Sequence, residues 1–480
     1  MSLFPEYERY DAIGLAGLVR DRAISPLELI EEAIRRIELI NPAINAVVHT
    51  LYDEARRVAA ATDPSDPLAG PLAGVPFLLK DLNILYKGQR TSNGGRLWQD
   101  NVADHDSTIT ARYRAAGLIV LGYTNTAELG LACETAPSAF GPTRNPWDLS
   151  RSAGGSSGGA AAAVAAGLVP AVHGTDGGGS IRIPSSNCGV FGVKPTRARN
   201  PFGPDNGEGW NGLSVHHAIT RSVRDNAALL DATHGPEPGD PYAAPAFAGR
   251  FLDAVTQEPP RLRIAFQTTD HGGNAIHPDC VEAVHAAARL LADLGHEVEE
   301  ARPAIDAEAM KRATRIIVAS NIANVLRLRG EALGRRVIAE DVEPITWLWA
   351  QEAQSYSGED LARSVWTIHR LARVLGSFFQ RYDVLLTSTF AAPPLPLHTV
   401  DTGSTDLDAY YEGLRRYSAF TSLYNCTGVP AASVPLHWNA ENLPIGVQIA
   451  TRLGEDALLF SLAGQLERAR PWHDRRPDIR

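Results

Sequence analysis

Cysteine is scarce in this chain. Cys133, Cys188, Cys280 and Cys426 are spread over 480 positions, and no two of them form a CxxC pair. That spacing excludes a zinc ribbon, a dithiol redox motif or a disulfide framework, and leaves buried, reduced thiols as the expectation. Basic residues are also in short supply, with 45 Lys and Arg against 55 Asp and Glu and a formal net charge of −10. Phosphate backbones are held by clustered Lys and Arg, so nucleic acid is not an expected partner. No stretch reaches the ~18 unbroken apolar residues of a membrane span. The N-terminal residues show no basic segment followed by an apolar run, so no secretory leader is expected. These absences predict a soluble, cytoplasmic protein with no membrane partner. The nucleotide and metal motifs are missing as well. There is no Walker A run, no GxGxxG opening a helix and no HExxH, and the fourteen histidines are not spaced like ligands. No metal and no cofactor is therefore expected.

What remains is an ordinary globular composition, 44% apolar and 21% charged, long enough for a large buried core. Ser25-Pro26-Leu27-Glu28 reads as a capping box that opens an amphipathic helix, stopped before Pro42. Residues 62–72 read as a surface loop. Residues 74–83 (GVPFLLKDLN) read as a buried strand ending in Lys80-Asp81, and LIVLGYTN as a second strand after a helix over 107–116. Residues 141–152 read as loop, and 160–166 as a helix of small residues. LVPAVHG, VFGVK, 262–267, 383–389, 431–436 and 444–451 read as strands. Helices are expected over 219–233, 278–294 and 456–468, and across most of 304–380, with Trp347 and Trp349 on a short link. Alternating strands and helices predict an α/β fold, with one twisted mixed sheet flanked by helices on both faces in a single domain.

Two glycine-rich loops frame the alanine-rich helix. The first, GGSSGG, carries Ser156 and Ser157; the second, GTDGGGS, leads to Ser180. GSSGG matches G-x-S-x-G, which would make Ser157 a nucleophile, but glycine runs satisfy that pattern by chance. The second loop is better suited. Its glycines let successive backbone N–H groups from Gly177 to Ser180 point into one concavity, and Ser180 is placed to open a helix. Such a nest can bind an oxyanion beside the Ser180 hydroxyl. A bare anion-binding loop would look the same. A serine nucleophile also needs a base. Lysine serves if burial leaves it neutral, and Lys80 at the end of an apolar strand is the best candidate. Taken alone, its segment reads as a strand-end lysine reaching water. Ser156 could relay the proton between Ser180 and Lys80.

These residues resemble the amidase signature family. GGSSGG and GTDGGGSIRIPSSNCGVFGVKPT resemble its signature, GVPFLLKD its lysine strand, and GYTNTAEL, GPTRNPW, TRSVRD and NCTGVPAASVPL later landmarks along nearly the whole chain. The resemblance implies a signature core at 74–196 and a mostly helical specificity insertion at about 304–380. It implies that Ser180 is the acylated nucleophile, Ser156 the bridging serine after a cis peptide, and Lys80 the base. Gly177, Gly178, Gly179 and Ser180 would form the oxyanion hole. Ser157 would support Lys80 by hydrogen bonding, and Asp176 and Arg182 would brace the loop. Where many members carry Thr or Ile, this chain has Gly177. Leu131, Ala132, Cys133, Phe140 and Trp210 are candidate pocket residues. Within the family, DGGGSIRIP and the 200–225 stretch look most like hydrolases of the 6-aminohexanoate cyclic dimer type. The expected substrate is thus a small amide, cyclic or linear, or a carbamate. A glutaminase-type subunit of a tRNA-dependent amidotransferase is the alternative. A homodimer is the prior for its assembly.

Overall fold

The computed structural model describes residues 4–63, 66 and 70–479, so the loop expected over 62–72 lies in large part outside the described residues. Thirteen strands follow in chain order. They are β1 Val47–Thr50, β2 Pro76–Lys80, β3 Ile119–Thr124, β4 Arg144–Asn145, β5 Asp148–Ser152, β6 Ala171–Asp176 and β7 Phe191–Lys194. After them come β8 Val215–Thr220, β9 Arg263–Phe266, β10 Glu297–Glu300, β11 Val384–Ser388, β12 Ala431–Trp438 and β13 Pro444–Thr451. Eleven of them form one mixed sheet in the order β1-β3-β2-β6-β8-β7-β12-β13-β11-β9-β10, and β4 and β5 pair separately. The expected single-domain α/β architecture is present.

Alternation along the strands explains why helices cover both faces. Successive side chains point to opposite sides of a strand. Val384 and Leu386 therefore join one apolar cluster, with the helices Pro278–Asp293 and Asp456–Ala469. Leu385 between them joins another, with Ala307–Leu333 and Gly358–Phe378. Val447 and Ile449 against Ala450 divide the same way. β2, β3 and β6, like β11 and β13, are buried along their whole length.

Some elements differ from the sequence expectation. The capping box at Ser25 and Glu28 forms, but the helix Pro26–Ile44 runs through Pro42. It ends at Asn45, which is in the left-handed conformation. Asn41 takes over the turn: its Oδ1 accepts from the N–H groups of Ala46 and Val47, both at 2.8 Å. The loop expected over 141–152 contains the β4–β5 hairpin. Trp347 and Trp349 lie inside the helix Pro344–Glu352 rather than on a link. β1, β8 and β10 were not expected, and 219–220 belongs to β8, so the following helix is Val223–Thr233.

Candidate active site

β2, third strand from one edge of the sheet and lying between β3 and β6, carries Lys80 at its end. Its side chain is fully buried rather than reaching water. The Nζ lies 2.7 Å from Ser156 Oγ and 2.8 Å from Thr175 Oγ1. Burial drives its pKa well below the ordinary lysine value, and the Asp176 charge opposes this only in part. The backbone N–H of Lys80 donates to His173 Nδ1 at 3.3 Å, and His173 Nε2 lies 3.0 Å from His216 Nδ1. That chain of contacts suits two neutral imidazoles, and desolvation by burial lowers the pKa of both.

The first glycine loop carries Ser156 over the lysine. The Gly155–Ser156 peptide is cis. Gly155 is packed so closely that a Cβ there would stand 2.6 Å from Glu134 N and 2.7 Å from Ala132 O. Thr135 Oγ1 fixes the loop by donating to the Ser156 carbonyl at 3.1 Å and accepting from Gly158 N at 3.0 Å. The helix Gly158–Ala165 then leads away with every residue buried.

The second loop leaves β6 at Asp176. Asp176 and Arg182 form a fully buried pair, with Arg182 Nε and Nη2 donating to the carboxylate at 2.9 and 2.8 Å. The guanidinium also reaches Gln448, Thr421 O and Asn425. Despite burial, the Arg182 charge and hydrogen bonds hold the Asp176 carboxyl well below its usual range. The carboxylate accepts from the N–H groups of Gly179 at 2.8 Å and Ile181 at 3.2 Å. This changes the expected donor set. The Gly179 N–H is committed inward, whereas those of Gly177, Gly178 and Ser180 have no acceptor among the described residues. The helix begins only at Arg182, with Ile181 at its N-cap position, so Ser180 precedes the helix rather than capping it.

The two loops meet through backbone, Ser157 N donating to Ser180 O at 3.1 Å. Ser157 does not reach Lys80; its hydroxyl donates to the Thr175 carbonyl at 3.2 Å. The second hydroxyl on Lys80 belongs to Thr175, which the sequence reading missed. No local motif marks it; it reaches the lysine because β6 pairs with β2. The Ser180 hydroxyl has no hydrogen bond among the described residues. Ser180 is partly exposed and faces a cavity of about 100 Å³. Gly155, Gly177 and Gly178 line the same cavity.

Of the candidate pocket residues, Leu131, Ala132, Cys133 and Trp210 line this cavity. Phe140 does not; its carbonyl is tied to Asn45 at 2.9 Å, beyond the end of the first long helix. Sequence reasoning missed Ile183, Val318, Tyr411 and Arg415, which lie on the walls. Trp349 lines the cavity from its helix, while Trp347 faces elsewhere.

A serine on a glycine-rich loop with free N–H groups, near a buried lysine on a mixed α/β sheet, fits a class of hydrolases that cleave C–N bonds. The chain belongs to the amidase family, whose sequence profile matches residues 28–460. It is 39% identical to the 6-aminohexanoate-cyclic-dimer hydrolase of Paenarthrobacter ureafaciens, over 98% of this chain and 96% of that one. A solved structure of a 6-aminohexanoate cyclic dimer hydrolase superposes with a TM-score of 0.93 at 37% identity, covering 98% and 99% of the two chains. Such a hydrolase has also been solved with its substrate. An acylamidase of Rhodococcus erythropolis is 34% identical over 97% of this chain and 96% of its own. More distant is one component of the glutamyl-tRNA(Gln) amidotransferase of Thermotoga maritima, at 26% identity and a TM-score of 0.78 over 99% of each chain. This protein is thus an amidase, a hydrolase of amide C–N bonds. Among the described residues no helix is long and apolar enough to cross a membrane.

Proposed function

We propose that Ser180 is the nucleophile, Ser156 the proton relay and Lys80 the base of an amide-hydrolysing site. The observation that carries this reading is the buried Lys80 Nζ, 2.7 Å from Ser156 Oγ, beneath a cavity that Ser180 lines. A neutral Lys80 takes the Ser180 proton through the Ser156 hydroxyl. Ser180 then attacks the amide carbonyl, and the free N–H groups of Gly177, Gly178 and Ser180 hold the oxyanion. The relay returns the proton to the leaving nitrogen. Water, deprotonated by the same relay, cleaves the acyl-enzyme. Asp176 and Arg182 hold the loop from behind and touch no substrate.

The substrate is a small amide of the 6-aminohexanoate kind, cyclic or linear, and carbamates fit the same chemistry. In support, the cavity wall is largely apolar and includes Trp210 and Trp349, which suits a methylene chain. The helices within 304–380 act as the specificity segment, since Thr314, Val318 and Trp349 come from them. The protein works in the cytoplasm, as a homodimer and without an obligatory partner.

The test is hydrolysis by the purified chain of a p-nitroanilide, an aryl carbamate, and a panel of cyclic and linear amides. Turnover that disappears in Ser180→Ala supports the reading. No turnover alone, but glutaminase activity within an assembly, would replace it with the amidotransferase role.

A further inference from the structure

Most of the catalytic cavity is lined by neutral side chains, and one charged residue stands among them, Arg415. It sits in the last turn of the helix Leu407–Tyr417 and is half-buried. A guanidinium carries five N–H donors in a planar fork. Within the protein, Arg415 uses Nη1 toward Ser422 Oγ, at 3.2 Å. Ser422 lines the same cavity.

Most acids near Arg415 are engaged elsewhere, and Glu308, which lines the neighbouring cavity, is not within ion-pair distance of it. On its own helix, Asp408 pairs with Arg315 at 2.6 Å and Glu412 pairs with Lys311. Asp270, in the neighbouring cavity that Arg415 also lines, accepts from Asn274 N and Nδ2 at 2.7 and 2.9 Å. No carboxylate among the described residues comes within ion-pair distance of Arg415. A guanidinium held part-way out of water without an anion is a cost that a planar, two-oxygen anion removes, because fork and carboxylate match. Across the cavity, Leu131, Ile183, Leu213 and Val318 offer a surface for methylene groups.

Resting on the reading that this cavity receives the substrate, we infer that Arg415 is a carboxylate-binding residue, and that the preferred substrates are linear amides whose aliphatic chain ends in a carboxylate. The scissile amide sits at Ser180, the chain runs along the apolar wall, and the terminal carboxylate meets Arg415 and Ser422. Arg415 sets specificity and takes no part in bond breaking.

Two pairs of probes test this, one with the charge on the acyl side and one with it on the amine side. They are adipic acid mono-4-nitroanilide with its methyl ester, and N-(4-nitrobenzoyl)-6-aminohexanoate with its methyl ester. Binding is measured by calorimetry on Ser180→Ala protein, with and without Arg415→Gln, and on the Arg415→Lys variant in the same background. At least one acid binds about tenfold or more tightly than its ester, the margin typical of a charge-assisted contact. Arg415→Gln removes that margin and leaves the ester's affinity within about twofold, while Arg415→Lys keeps part of it. Equal affinity of acid and ester in both pairs, or a margin that survives in Arg415→Gln, overturns the inference. Release of 4-nitroaniline from the adipoyl pair by protein with Ser180 intact reads the hydrolase assignment separately. Its absence removes that assignment, while the binding comparison still decides the role of Arg415.

Discussion

Lys80 is the residue on which the proposed chemistry turns. Its segment alone read as a strand-end lysine in water. Five buried residues of β2, with β3 and β6 on either side, place it in the interior instead. The serines were legible because glycine-rich loops advertise them, whereas the contact that holds Lys80 from the other side, Thr175, is one hydroxyl on a neighbouring strand and leaves no motif. The burial has a consequence for pH. With its folded pKa well below the unfolded value of 10.5, the unfolded chain holds more protons across that interval, so folding stability rises with pH there and levels off above it. Lys80→Met removes this contribution. Urea denaturation of both proteins from pH 7 to 10 is expected to show wild type gaining on the variant as pH rises. A flat difference would mean that Lys80 titrates as a solvated lysine. The rate follows the same group in the same direction. Because the proposed base works in its neutral form, kcat/KM is expected to climb with pH through the folded pKa of Lys80 and then level off. A maximum on the acid side of neutrality would remove Lys80 as the base.

At the scale of elements, the second loop depends on one ion pair more than on its helix. The helix Arg182–Cys188 has seven residues, and its macrodipole is correspondingly modest. The Asp176 carboxylate does the ordering, by taking the Gly179 and Ile181 N–H groups and leaving those of Gly177, Gly178 and Ser180 outward. Breaking such a buried pair from one side leaves an uncompensated charge. Arg182→Met is expected to lose about 3–5 kcal/mol of stability, read as a shift in the urea midpoint, with kcat falling in whatever protein still folds. A variant as stable and as active as wild type would show that the pair is dispensable. Glycine loops and buried strands could be read from sequence, because their patterns are local. The strands that were missed lack that pattern. β10 reads EVEE, an edge strand whose charges face water, and β8 carries two histidines in a row that pack inward. Pro42 misled for another reason: it falls in the final turn, where Asn41 supplies the hydrogen bonds that the next residues need.

For the molecule as a whole, the fold class was legible but the cavity was not, because its walls come from segments hundreds of residues apart. Loop 131–133, the signature loops, Trp210 and helices from the second half converge only once the sheet is built. Gly177 and Trp210 show what this convergence fixes. A Cβ on residue 177 would stand 2.9 Å from Trp210 Cε3 and 2.8 Å from Ser214 Oγ. The glycine, smaller than Thr or Ile, thus makes room for an indole, which takes the space from across the loop. The two positions are therefore one steric unit, and substituting either alone reads differently from substituting both. Gly177→Ala pushes the ring or the loop aside and is expected to lower kcat/KM about tenfold, the cost of a small misplacement next to an oxyanion donor. Trp210→Ala enlarges the cavity and raises KM for amides with short chains. If the clash is the cause, adding Trp210→Ala to Gly177→Ala restores part of kcat. The cycle then gives a coupling on the order of 1 kcal/mol, typical of residues in contact. Strictly additive losses in the kinetics of the four proteins would show that the loop, and not the indole, limits what residue 177 can be.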